Sequence, residues 1–468
     1  MEEPIRQSKG PKVGERHKQI CLLFAFATIT NYEGVSISIS VVAMTNANST
    51  NPDFQEFDWN AQQKSYILSA AFIGCLLIQI TGGKLCQVFG VKRIGALILG
   101  MSMVVSFLTP ILVIYGGWIV LCIIRVIQGI YQGQTYACLS GHLAYWSPKH
   151  KRTQLGGIVL SGIELGSLLG TLISGFVAGS AFGWPGINYL LGLTQACLLT
   201  FWILFLERDP TASRMISTAE RNYLITSQQE DVSYEKKSSI PYTKILTSKS
   251  VWGFLIGMSG QIAALRLMQI QLPAYISKVC KKNIEENAVF STLPLAGVWL
   301  MTFLYAFIGD FITNRNLMTI GAMRKTINTI SAVIPALSII YIGFLDVDSV
   351  DIVIGLFIFS GFIMGGITVG CFVNALDLSP NFADVISSMG QALANIVYIV
   401  LTVGTGYILT DESDRLLWQS VFNIFAGIII GCNVLFVIMG SGEVQPFNVY
   451  ESVPTSQKYP AEEMKDIR

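Results

Sequence analysis

Charge is what this sequence has least of. Only 13% of its 468 residues are Asp, Glu, Lys or Arg, against 52% hydrophobic, and the mean hydropathy is +0.54. A soluble domain carries about 25% charged residues, so the composition excludes a water-soluble fold and points to an integral membrane protein. The few charges nearly cancel, to a net +1. That leaves no basic surface for a polyanion, and no nucleic acid is expected as a partner. Histidine is scarce, at three. Of the nine cysteines, only Cys280 falls in a loop. The others sit in apolar segments and read as small core residues, so neither a disulfide framework nor a CxxC metal site is expected. A Walker A loop, paired metal-ligand spacing and a nucleophile elbow are missing too, which argues against an ATP-driven pump and against an enzyme. The first 18 residues, MEEPIRQSKGPKVGERHK, are polar, with no short apolar core before a cleavage site. No cleaved leader is expected, and the first apolar segment directs insertion itself.

What the chain does have is long apolar runs. Spanning the hydrocarbon takes roughly 20 apolar residues. Twelve segments qualify: about 20–44, 64–88, 94–114, 117–141, 155–179, 187–206, 251–273, 287–311, 322–344, 351–374, 382–408 and 416–439. One long polar stretch, 207–250, parts the sixth from the seventh. The expected fold is all-α and membrane-integral, with twelve transmembrane helices in two six-helix halves. The expected divisions are a tail 1–19, a half 20–206, a central loop 207–250, a half 251–440 and a tail 441–468. Basic residues collect at the N-terminus (Arg6, Lys9, Lys12, Arg16, Lys18), at Lys92 and Arg93, at Lys149, Lys151 and Arg152, and at Arg315, Arg324 and Lys325. The alternate loops carry Asp53, Glu56 and Asp58, then Asp346, Asp348 and Asp351. Lysine and arginine mark the cytosolic side, so both termini are expected there; Lys278, Lys281 and Lys282 run against the pattern. Asn48-Ser49-Thr50 is a glycosylation sequon in the first non-cytosolic loop.

Four ionisable residues lie well inside apolar segments: Glu33, Arg125, Glu164 and Arg266. Charge in that position is expensive and marks a functional candidate. At 1.5 Å per residue, Glu33 lies about 20 Å from the cytosolic end of its helix, Arg125 about 12 Å from the outer end, and Glu164 about 14 Å from the inner end. All three fall near the midplane, with Arg266 closer to the outer side. Arg125, Gln128, Gln132 and Tyr136 follow one another at offsets that share a helix face, a polar stripe suited to lining a cavity. Arg125 reads as a substrate or coupling residue, as half of a permanent ion pair, or as a snorkelling side chain. Glu164 stands about 160° round from Gly162, Gly166 and Gly170, a small-residue stripe suited to close packing between halves. Its carboxylate is either a proton carrier or a fixed partner of Arg125. Glu33 either lines the site or kinks its helix. Asp310 reads as a cap or gate, and His142 as a weak candidate proton relay.

Local strings point further. Gly82-Gly83-Lys84-Leu85 through Gly90-Val91-Lys92-Arg93 resembles the glycine-and-basic loop of the major facilitator superfamily, with Gln87 near the place of its usual acidic residue. Trp59-Asn60, Gln79-Ile80-Thr81-Gly82-Gly83, Arg125-Val126-Ile127-Gln128-Gly129, Trp146-Ser147-Pro148, Glu220-Arg221-Asn222-Tyr223-Leu224-Ile225, Leu272-Pro273-Ala274-Tyr275, Ser291-Thr292-Leu293-Pro294, Asn374 with Asp377 and Pro380, and Gly442-Glu443-Val444-Gln445 together resemble family 17 of the solute carriers over roughly residues 20–447. That family holds sialin, the vesicular glutamate transporters and the type I sodium–phosphate cotransporters. The strings lie nearest the sialin-like and insect phosphate-cotransporter-like branch.

The resemblance implies secondary active transport of organic or inorganic anions, coupled to protons, sodium or membrane potential. It implies no cofactor beyond a coupling H+ or Na+ ion. It also implies that Arg125 holds the substrate anion. The chain departs from the pattern at several places. Gln128 and Gln132 stand where sialin-like members have glutamates. The family's helix 1 arginine falls at about Gly34, its helix 7 arginine at about Gln261, and the histidine of the glutamate transporters at about Leu68. Glutamine carries no transferable proton, so the coupling carboxylates read as moved to Glu33 and Glu164. Gln128, Gln132 and Tyr136 are then expected to hydrogen-bond the substrate, with Arg266 as a second cation. An uncoupled facilitator or exchanger, and a transport-inactive sensor or scaffold, are the alternatives. The expected partners are a small anionic solute and the bilayer, the expected state is a monomer, and the expected location is the plasma membrane or a lysosomal or vesicular membrane.

Overall fold

The computed structural model describes residues 14–46, 53–79, 82–148, 152–211, 213, 215–229, 240–345, 349–380 and 382–448. Asn48, Lys149, Lys151, Asp346, Asp348 and most of both tails lie outside them. The described residues are mostly helical, because in lipid a segment must satisfy its own backbone hydrogen bonds. The first set of helices is α1 (Glu15–Met44), α2 (Ala61–Gln79), α3 (Gly82–Phe89), α4 (Val91–Gln132), α5 (Thr135–Trp146), α6 (Arg152–Gly179) and α7 (Gly183–Phe205). Two shorter helices follow, α8 (Thr218–Gln229) and α9 (Tyr242–Thr247). The second set is α10 (Lys249–Arg266), α11 (Leu272–Lys278), α12 (Ile284–Asn314), α13 (Ile320–Phe344), α14 (Val350–Met364), α15 (Asn374–Leu378), α16 (Ala383–Ile408) and α17 (Arg415–Met439).

Among the described residues, ten helices are long and apolar enough to cross a membrane. One of them, Val91–Leu143, has 53 residues, about 80 Å of helix and more than twice the hydrocarbon core. It bends back at Gly117, whose φ of 61° and ψ of −152° suit only glycine. Gly117 is where the third and fourth apolar segments meet. The second apolar segment falls on α2 and α3. Three other segments expected as single helices are interrupted at described residues. The fourth breaks at Gly133 and Gln134, between α4 and α5. The seventh and tenth pass through π-helical turns, Leu267–Gln271 and Thr368–Phe372. Such turns insert an extra residue into the helical ladder and cluster at functional sites.

The buried side chains fall into distinct cores. One gathers both sets of helices at a single face: Met44, Trp59 and Ile67 pack with Met268, Tyr275 and Trp418. At the other face, where α1 starts and α17 ends, the cores are separate. Leu23, Ile98 and Trp202 belong to one, and Phe254, Cys371 and Ile386 to the other. The two sets of helices are therefore sealed together at one face and parted at the face of the chain ends. Lys64–Glu412 (2.5 Å), Tyr66–Tyr407 (2.8 Å) and Asn46–Ser277 (3.3 Å) bind them on the sealed side.

Two expectations change. The glycine stripe of α6 does not pack between the sets. Cβ atoms at Gly162, Gly166 and Gly170 would press on the Phe24, Thr28 and Tyr32 carbonyls of α1, in the same set. Contact with α12 falls one and two turns further on, at Gly175 and Gly179. The stretch 207–250 is also more than a loop. Glu220 of α8 accepts hydrogen bonds from the Glu15 and Arg16 backbone N–H groups (2.9 and 3.2 Å), capping α1 from 205 residues away. Trp146, Ile216 and Leu224 close a small core beneath it.

Candidate functional site

The buried charges of the first set meet around Glu33. Arg125, on α4, is 2% exposed, and its Nη1 donates to Gln128 Oε1 at 2.7 Å. Gln128 Nε2 donates to Glu33 Oε1 at 3.3 Å. Glu33, on α1 and also 2% exposed, accepts from Tyr131 Oη at 2.5 Å and from Ser102 Oγ at 2.6 Å. Ser102 is bonded in turn to Gln195 of α7, which accepts from Ser106 at 3.0 Å. Among the described residues Arg125 and Glu33 form no direct ion pair; an amide stands between them. Glutamine presents an acceptor oxygen and a donor nitrogen, so Gln128 turns the first to the cation and the second to the carboxylate. The Arg125 Nε is buried without a partner, which leaves donor capacity on the guanidinium. Gln132 lies beside the bare backbone of Gly34, its Oε1 3.5 Å from where a Cβ would stand, and its side chain reaches Glu33 as well.

A second group forms around Arg266, the last residue of α10. Its guanidinium lies over the Phe72 ring at 5.2 Å, a favourable cation–π placement. Its Nη1 donates to Gln269 Oε1 at 2.9 Å. Gln269 Nε2 donates across the two sets to Ser167 Oγ of α6 at 3.1 Å, which also accepts from Asn31 Nδ2 at 2.5 Å. Glu164 lies within electrostatic reach of Arg266, and its Oε2 is buried without a hydrogen bond. Tyr136, 49% exposed, stands near both. The polar stripe expected along one helix is thus divided. Arg125 and Gln128 go with Glu33, whereas Tyr136 goes with Arg266 and Glu164, because the helix is interrupted at Gly133 and Gln134. The two groups adjoin, since Arg125 and Arg266 feel one another's charge.

The remaining candidates lie elsewhere. His142 is 1% exposed, contacts Gln19 Oε1 at 3.2 Å and stacks on Trp146, so it belongs to the packing of α5 on α1. Asp310 is exposed. Tyr131, Ser102 and Gln195 escaped the sequence reading, although polar residues spaced along apolar helices were visible there.

Residues 24–402 match the family model described as Major Facilitator Superfamily. A "Putative inorganic phosphate cotransporter" of Drosophila ananassae is 29% identical over 433 residues, 88% of this chain and 89% of the relative. The "Sodium-dependent phosphate transport protein 1" of Rattus norvegicus is 26% identical over 92% of this chain and 90% of the relative. Human sialin is 25% identical over 88% and 86%. These are the relatives that the resemblance to solute carrier family 17 implied. Among solved structures, the inward-open xylose transporter of E. coli superposes with a TM-score of 0.64 at 13% identity, over 88% of this chain and 94% of that one. A bacterial homologue of the lysosomal transporter Spinster, inward-facing and unoccupied, superposes with a TM-score of 0.67 at 12% identity, over 92% and 98%. With the fold, the buried charge groups and these matches together, the chain is a multi-pass membrane protein and belongs to the Major Facilitator Superfamily.

Proposed function

We propose that this protein is a secondary active transporter of small organic or inorganic anions, working by alternating access through twelve spans with both termini in the cytosol. Arg125 binds the anion. One observation carries the reading: a guanidinium at the heart of the bundle is tied to a carboxylate only through an amide and keeps a buried donor unused. An arginine already neutralised by a bidentate carboxylate would have little left for a ligand. Gln128 also explains the departure from the sialin-like pattern. A glutamate at 128 would stand about 3 Å from Glu33, and two carboxylates so close cannot both ionise. Glu33 takes over the acid, and Gln128 becomes the bridge. Glu164 is the second acid, beside Arg266. Coupling is to protons or sodium, the working unit is a monomer, and the site of action is the plasma membrane or a lysosomal or vesicular membrane.

The test is uptake into proteoliposomes of phosphate, urate, sialate and glutamate under imposed proton, sodium and voltage gradients. Arg125→Ala is expected to abolish uptake while the protein stays folded and membrane-inserted. Arg125→Lys is expected to be poor as well, since an ammonium lacks the planar fork. Normal uptake by Arg125→Ala would sink the assignment. The neutral amides at 128 and 132 favour a second reading, an uncoupled facilitator, which would show counterflow without gradient-driven accumulation.

A further inference from the structure

We propose that Lys64 and Lys278 form a second anion site at the sealed face, where a small oxyanion takes the place of the Glu412 carboxylate as the bridge between the two sets of helices. The inference rests on the anion-transport reading above for the class of its ligand, and it places a docking point for that ligand apart from the Arg125 and Arg266 groups.

The charges there do not balance locally. A cavity of about 30 Å³ lies between the two sets. Lys64 lines it from α2, Lys278 from the end of α11, and Glu412 from the link between α16 and α17. Lys64 pairs with Glu412 at 2.5 Å. Among the described residues Lys278 has no ion pair, although Lys64 and Glu412 both act on it electrostatically. The exposed Glu56 also acts on it, but more weakly than either. Two ammonium groups, one from each set, therefore share a single carboxylate in the cavity wall.

Glu412 is the exchangeable member. It stands in a short link, 409–414, and not on a helix. Its backbone carbonyl accepts from the Trp418 indole N–H at 2.8 Å, so the side chain can turn away while the link stays in place. Its pair with Lys64 is partly exposed, and a pair of that kind is weak enough for a competing ion to replace it. The cavity has room for about one water and does not enclose an oxyanion. The ion therefore sits at its edge, between the two ammonium groups, as the carboxylate does. A dianion carries charge enough for both lysines, where Glu412 serves one. The exchange converts a contact that holds the sets together into one that depends on the solute, at the face that must part for transport.

The test measures equilibrium binding of labelled inorganic phosphate to the purified full chain in detergent, at fixed ionic strength, with Arg125→Ala present throughout to disable the central site. That protein is expected to keep a phosphate site. Adding Glu412→Gln, which removes the competing carboxylate, is expected to tighten it about fivefold. Adding Lys278→Gln is expected to weaken it by at least about fivefold at an unchanged melting temperature, and Lys278→Arg to restore it. Sulfate is expected to displace the phosphate about tenfold better than acetate, because two lysines favour a dianion. An Arg125→Ala protein that melts as the wild type does but binds no phosphate, or binding that Glu412→Gln and Lys278→Gln both leave unchanged, would overturn the seam site and leave the transport reading to its own uptake measurement. Phosphate held at the seam by a wild-type protein that transports no anion would support the site and sink the transport reading.

Discussion

Glu33 is held on three sides by Ser102, Gln128 and Tyr131, with Arg125 one amide away, and it is the one acid among them. Glu33→Gln preserves size and much of the hydrogen bonding but carries no exchangeable proton. If the coupling ion is a proton, wild-type uptake rises as the outside is acidified. The variant is then expected to show a flat pH profile and to lose gradient-driven accumulation while keeping counterflow. A profile like that of the wild type would move the role to Glu164, for which Glu164→Gln is the companion measurement. The two acids and two arginines were legible in the sequence because charge inside an apolar run is costly and conspicuous. Their pairing was not. It depends on how closely α1 approaches α4, and it divides a stripe that helical periodicity alone would keep whole.

At the scale of helices, the crossing of α2 on α4 fixes where Gln128 stands. A Cβ on Gly129 would lie 1.9 Å from the Ala71 carbonyl oxygen, and one on Gly74 would lie 2.1 Å from that of Val126. The two backbones touch at reciprocal glycines, and nothing there is flexible enough to yield. Gly129→Ala is expected to force the helices apart at a cost of about 1–3 kcal/mol, read as a lower melting temperature in detergent. It is also expected to raise KM, because Gln128 moves with the backbone. An unchanged melting temperature would mean that the crossing is looser than its geometry implies. The clasp of α8 on α1 is the other element-level feature. Ser217-Thr218-Ala219-Glu220 spells a capping box, and Ser217 Oγ does accept from the Glu220 N–H at 3.2 Å. The Glu220 carboxylate, however, turns to the start of α1. Glu220→Ala is expected to cost about 1–2 kcal/mol, the range of a lost helix cap. Faster hydrogen exchange confined to the first turn of α1 would report it, and unaltered exchange there would show that the cap contributes nothing. The apolar runs announced the spans because lipid imposes length and composition on them. The π-helical turns and the α8 clasp left no such mark, since both arise from packing between distant segments.

Among the described residues, the two sets of helices share one core at the sealed face and keep separate cores at the face of the chain ends. On the alternating-access reading, transport requires the sealed face to open, and Lys64–Glu412 must then break along with the Tyr66–Tyr407 and Asn46–Ser277 contacts. The ion pair is partly exposed, at 13% and 16% of its side chains. A pair of that kind is worth about 0–1 kcal/mol, so removing one partner is expected to shift the balance between states by no more than about fivefold. Single reversals, Lys64→Glu or Glu412→Lys, place like charges at the seam and are expected to slow uptake from the chain-end face by destabilising the state open to it. The double reversal restores the attraction with its direction exchanged and is expected to recover most of the wild-type rate. A stronger constraint comes from Lys64→Cys with Glu412→Cys, joined by a short cleavable bifunctional reagent. Cross-linking is expected to bring uptake to background, and cleavage of the linker to restore it, because the tether holds shut the face that must part. Full uptake by quantitatively cross-linked protein would show that the sealed face does not move during transport. The anion would then have to leave by another route than between the two sets of helices.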